Sequence, residues 1–106
     1  MSGAAGSPAA PGSCLHLVVG AGVEALDDCL LHSQARDTLL FLDAGVLHLL
    51  RDASAPVVGL AEAHFAAADL QAHGLLDLAR RSGVSVIDDA GFCELLRRHP
   101  HCLTWT

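Results

Sequence analysis

The 106-residue sequence predicts a small three-layer α/β/α sandwich on a mostly parallel sheet of about five strands. Two observations carry this. Short unbroken apolar runs alternate with helical stretches, and a parallel sheet covered on both faces buries its strands twice, so such strands read as continuous apolar runs rather than alternating ones. The chain is also 52% apolar yet has room for only one core, so all of these elements must share it.

Residues 1–13 hold only Met, Ser, Gly, Ala and Pro, with no side chain large enough to anchor them; this predicts a disordered tail. Leu-His-Leu-Val-Val at 15–19 then reads as a buried strand, closed by the turn Gly20-Ala21-Gly22. Over 23–34, Val23, Leu26 and Leu30 recur at helical spacing, and Glu24, Asp27 and Asp28 come early, where carboxylates suit the helix dipole. A second strand at 38–42 ends at Asp43-Ala44-Gly45 and leads into a short helical turn over 46–50. The run Pro-Val-Val-Gly-Leu at 56–60 predicts a third strand, followed by an Ala-rich helix to His73 that Gly74 ends. A short helix at 75–81 and a fourth strand at 84–87 come next. The last helix, 90–98, turns Phe92, Leu95 and Leu96 inward, stops at Pro100, and leaves 102–105 as a fifth strand.

Composition excludes several functions. Twelve acidic groups outweigh six basic ones, all Arg, so nucleic acid or an anionic membrane is repelled overall. Arg or Asp interrupts every long apolar stretch before the roughly 18 to 20 residues of a membrane span. The first basic residue is Arg36, which leaves no positive region for a secretory signal. A cytoplasmic protein is expected. Cys14, Cys29, Cys93 and Cys102 include no C-x-x-C pair and read as thiols, not as a disulfide frame.

In a parallel α/β sheet chemistry gathers in the loops after the strands, which points to residues 20–22, 43–45 and 88–91. Gly20-Ala21-Gly22 lacks the third glycine of a phosphate-binding turn and reads as an ordinary turn. Asp88 and Asp89 offer paired carboxylates, but a helix N-cap before Ala90 accounts for one of them. Cys93, His99, His101 and Cys102 are four candidate zinc ligands; His101 and Cys102 are adjacent, whereas zinc knuckles separate each ligand pair, so no metal is expected. His16 alternates with apolar neighbours and predicts a hydrogen-bonded core or interface role, the other histidines lying on solvated surfaces. Cys29 falls beside the Val23, Leu26 and Leu30 stripe, which predicts a partly exposed thiol.

The segment Val86-Ile87-Asp88-Asp89-Ala90-Gly91-Phe92-Cys93-Glu94-Leu95, running into Arg98-His99-Pro100 and closing on Trp105, resembles the C-terminal signature of the DsrH and TusB family. That family shows an aliphatic-Ile-Asp strand end, Phe and Leu on the next helix, a basic-His-Pro stop and a late Trp. Leu15-His16, the Leu-rich strand ending Asp43-Ala44-Gly45-Val46, and the pairs Asp69-Leu70 and Gly74-Leu75 resemble further shared positions. Ala44 stands where the family has Asp, Asp89 where it commonly has Tyr, and Gly20-Ala21-Gly22 where it has a Ser-Pro loop.

The resemblance implies a single DsrE/DsrF-like domain over 14–106. It implies a subunit of a cytoplasmic heterohexameric sulfur-relay complex, assembled with two sister chains of similar fold and serving upstream and downstream sulfur-carrier proteins. Such a complex passes persulfide sulfur toward 2-thiolation of the tRNA wobble uridine, or, in the DsrH branch, serves dissimilatory sulfur oxidation. No cofactor is implied, and no direct contact with nucleic acid. The main sulfur carrier of the family sits on a sister subunit, yet Cys29 falls where DsrH-type members carry a cysteine on the first helix, which makes it the candidate persulfide carrier of this chain.

Overall fold

The computed structural model describes residues 13–51 and 62–106. In order they form β1 (Cys14–Val18), α1 (Val23–His32), β2 (Thr38–Phe41), a 3-10 helix (Asp43–Leu50), β3 (Glu62–Ala66), α2 (Ala67–Ala72), α3 (Leu76–Ser82), β4 (Val86–Ile87), α4 (Asp89–Arg98) and β5 (His101–Trp105). The five strands make one sheet in the order β4-β3-β2-β1-β5, and every neighbouring pair is parallel.

That order fixes the layers. The steps β1 to β2, β2 to β3 and β3 to β4 all move the same way along the sheet, so right-handed crossovers place α1, the 3-10 helix, α2 and α3 on one face. The step from β4 to β5 returns across the whole sheet and places α4 on the other. The core divides accordingly. On the first face Val18, Leu39, Phe41 and Phe65 pack with Leu26 of α1, Val46 of the 3-10 helix, Leu70 of α2 and Ala79 of α3. The Phe41 and Phe65 rings stack at 4.6 Å. On the second, Leu15 and Leu40 pack with Leu95 of α4, flanked by Phe92.

Local chemistry explains the boundaries. Asp88 caps α4, its Oδ1 accepting the Gly91 N–H at 3.0 Å, while Arg97 and Arg98 in the last turn face the negative helix end. Past α2, Gly74 takes the left-handed conformation, φ 71°, that an L side chain resists, and ends the helix as its sequence context predicts. Gly45 has a different reason: a Cβ there would lie 1.8 Å from the Val18 carbonyl oxygen, so the 3-10 helix crosses the end of β1 with no room for a side chain.

Several expectations need correction. The stretch assigned to an Ala-rich helix begins instead with the strand β3, and only Ala67–Ala72 is helical. Glu62, His64 and Ala66 point to the α4 face and Ala63 and Phe65 to the other, a two-residue period that the Ala content masks. The strand expected at 56–60 and residues 1–12 of the expected tail lie outside the described residues. Ser13, assigned to that tail, is buried. Leu96, expected inward, is 45% exposed, because α4 turns Leu95 to the sheet. The first helix ends at His32 rather than residue 34.

Candidate functional site

The most heavily bonded buried polar cluster among the described residues lies under α1, where β1 meets β5. Strand alternation puts Cys14, His16 and Val18 on one face of β1, and the parallel register sets His16 beside Leu103 and Val18 beside Trp105. Trp105 then reaches back along that face. Its indole Nε1–H donates to His16 Nδ1 at 3.0 Å, the two rings stack at 5.9 Å, and the His32 ring of α1 lies 5.2 Å from the indole.

An indole nitrogen only donates, so His16 Nδ1 accepts and the ring proton sits on Nε2. From there it is donated to Asp37 Oδ2 at 2.8 Å. Asp37 precedes β2 and is nearly buried; its Oδ1 also accepts the Cys14 N–H at 3.0 Å and its Oδ2 the Gln34 N–H at 3.0 Å. Burial raises the Asp37 pKa, but the His16 bond and the two backbone N–H donors outweigh it and hold the carboxyl below its ordinary value. Both ring nitrogens of His16 and both oxygens of Asp37 are thus committed to protein groups. Their work is to tie the start of β1, the approach to β2 and the edge strand β5 together.

Cys29 lies in the same layer. It is 0% exposed and part of the apolar core, which corrects the partly exposed position expected from the helical wheel. The reason is that α1 straddles β1 and β5, so the flank of its apolar stripe also faces protein. Its Sγ is 3.8 Å from Ser33 Oγ, which itself donates to the Cys29 carbonyl at 2.8 Å. Burial first, with Cys14 and Asp37 adding to it against the Ser33 bond, pushes the thiol pKa up to about 11. Asp27 and Asp28, its sequence neighbours, are exposed on the outside of the helix and are not among the causes. As the chain stands, Cys29 is a protonated and enclosed thiol.

The loops after the strands are occupied by structural bonds. The Val19 and Gly20 amides both donate to the Trp105 carbonyl, at 2.9 and 3.1 Å. His48 Nε2–H donates to the Gly20 carbonyl at 2.8 Å, and Arg51 to the Ala21 carbonyl at 2.9 Å. Gly20-Ala21-Gly22 is therefore a clasped turn. His48, expected on the surface, is buried; its Nδ1 has no partner among the described residues, and burial lowers its pKa. His99 is buried as well, its ring bonded to Ser13 Oγ at 3.2 Å and Thr38 Oγ1 at 2.9 Å.

His99 is thereby separated in function from Cys93, His101 and Cys102, which are exposed. Among the described residues no group of three His, Cys, Asp or Glu side chains is gathered as metal ligands. The residue that sequence reasoning missed is Asp37, and its signal is a lone carboxylate set directly before the fully buried strand Thr38–Phe41.

The family model described as DsrH like protein matches residues 22–102, most of the chain. The chain belongs to the DsrH-like family. The matched range takes in α1 with Cys29, the crossing at Gly45, the capped helix α4 and the start of β5, whereas His16 and Trp105 lie just outside it at either end. DsrH-like membership supports a sulfur-relay subunit and implies a place in a multi-subunit assembly. No described helix is long and apolar enough to cross a membrane. No curated protein matches the chain.

Proposed function

We propose that the chain is one subunit of a cytoplasmic heterohexameric relay, built with two sister chains of similar fold, that passes persulfide sulfur between carrier proteins and feeds 2-thiolation of the tRNA wobble uridine. The observation that carries the relay reading is the DsrH-like match over residues 22–102, from α1 through β2, β3, β4 and α4 to the start of β5. Acidic net charge fits it, since sulfur moves between proteins and the RNA is handled elsewhere. The DsrH-type role in sulfur oxidation uses the same chemistry with different partners. It is distinguished by which carriers copurify with the complex.

Within the relay, Cys29 is the proposed sulfur-bearing residue of this chain. Its thiolate attacks the outer sulfur of a donor persulfide, the donor's S–S bond breaks, and the donor cysteine leaves as a thiolate, so that one sulfur moves with no net oxidation. Thiolate is the attacking form, and the lone chain keeps Cys29 buried and protonated. Loading therefore requires the assembled complex to lift or retilt α1. The same burial favours a second reading, in which this subunit is a scaffold and every sulfur rides on a sister chain.

Intact-mass spectrometry after incubation with a persulfidated carrier separates the two. The first reading expects added sulfur on this subunit only within the complex, and its loss in Cys29→Ala. The scaffold reading expects a loaded sister subunit and an unmodified chain here.

A further inference from the structure

A second cluster lies on the opposite face of the sheet, near the amino ends of β3 and β4. Glu62 and His64, two residues apart on β3, share the α4 face, and Ser85 stands beside them immediately before β4. The Ser85 backbone is pinned, because its carbonyl accepts the Phe65 N–H at 2.8 Å. Its Oγ lies 2.6 Å from His64 Nδ1. His64 Nε2 is hydrogen-bonded to Glu62 Oε2, and Glu62 Oε1 accepts from Arg98 of α4 at 3.2 Å.

The His64 bond first, and Arg98 with it, hold the Glu62 carboxyl below its ordinary value despite partial burial, so Glu62 accepts. In its neutral form His64 then carries its proton on Nε2, which leaves the Nδ1 lone pair facing the Ser85 hydroxyl. A hydroxyl, an imidazole that takes its proton and a carboxylate that orients the imidazole are the three roles of a nucleophilic serine relay, which is recognised by geometry and not by chain order. Here Arg98 adds a fourth part that fixes the carboxylate. His64 is 15% exposed and Glu62 44%, while Ser85 is exposed, so the ring is sheltered and the nucleophile is reachable.

We propose that Glu62, His64 and Ser85 form a serine acyl-transfer centre for small activated esters or thioesters, independent of sulfur relay. Ser85 Oγ bonds to the acyl carbon as its proton passes to His64 Nδ1. The bond to the leaving group then breaks, and the leaving oxygen or sulfur takes the proton from Nδ1. Water repeats the sequence on the acyl-serine, releasing the acid and restoring the hydroxyl.

The test uses the full chain with p-nitrophenyl acetate and, separately, a fluorophosphonate, followed by peptide mass spectrometry. The expected result is an acetyl or phosphonyl group on Ser85 that the urea-unfolded chain does not acquire. Labelling should be abolished in Ser85→Ala and slowed about a hundredfold in His64→Gln, the scale of one general base. Circular dichroism and Trp105 fluorescence verify that both variants are folded. No adduct on Ser85 of the native wild-type chain, or a labelling rate unchanged in a folded His64→Gln, overturns the proposal and leaves the cluster as a clip holding β4 and α4 to β3.

Discussion

Trp105 and His16, 89 residues apart in sequence, meet through an indole N–H to imidazole hydrogen bond of 3.0 Å beneath α1. Trp105→Phe keeps most of the apolar contact but removes the donor, leaving a buried imidazole nitrogen unpaired. Such an orphan costs about 1 to 3 kcal/mol. Trp105→Ala also opens a cavity and should cost about 3 to 5 kcal/mol. Urea unfolding followed by circular dichroism measures both, and equal midpoints for Trp105→Phe and wild type would show that the bond contributes nothing.

Acid should destabilise the fold in two stages. Burial first, and Arg98 near His99, lower the pKa values of His48 and His99 from the ordinary 6.5. The unfolded chain therefore takes up protons first, and stability falls as pH drops through 6.5. Asp37 and Glu62 are held below their ordinary values of 3.8 and 4.5, so their contribution is complete above those values and is lost as pH falls through the depressed folded pKa. The urea midpoint should be flat near neutrality, decline below it, and decline again in the carboxylate range. His48→Gln with His99→Gln should flatten the first stage alone.

The four thiols should react in order of access. Cys93 and Cys102 are exposed, Cys14 and Cys29 buried, and burial raises the pKa of both buried thiols. Iodoacetamide on the native lone chain should modify Cys93 first, then Cys102, and reach Cys14 and Cys29 only after unfolding. Peptide mapping of a time course reads this directly. Early labelling of Cys29 would mean that α1 opens without any partner.

Gly45→Ala should be the most damaging glycine-to-alanine change among the described residues. The added Cβ would meet backbone, the Val18 carbonyl, not the tip of a flexible side chain, so β1 or the 3-10 helix must move. Overpacking of this kind costs about 1 to 3 kcal/mol or more. Thermal melting measures the loss; a midpoint within error of wild type would show that the crossing is looser than it looks.

The sequence was most legible where a strand is buried on both faces. Leu39, Leu40 and Phe41 read as a strand because every one of them is buried. It was least legible at β3, whose Glu62 and His64 face the α4 side and are satisfied by Arg98 and Ser85, so no apolar run announces the strand. His48 and His99 were misread for a related reason: their buried rings are matched by a backbone carbonyl and by Ser13 and Thr38, partners that come from 28 to 86 residues away. Cys29 shows the limit of the helical wheel, which gives the angle of a residue but not the width of the surface its helix covers. An N-cap from the Asp88-Asp89 pair, the Gly74 stop and the His16 core role needed only local chemistry, and these the sequence did convey, although it left open that the capping residue is Asp88.

The place of β1 between β2 and β5 also sets the order in which a nascent chain can settle. β2 follows β1 closely, but the strand that completes the other edge of β1 is not made until the ribosome has read through Trp105. Until then β1 presents an open row of amides and carbonyls, and Asp37 can hold His16 while the indole that completes the pair does not yet exist. Synthesis therefore passes through a stage with a bare strand edge in the middle of the future sheet, when a chaperone or a sister chain has the best opportunity to bind it.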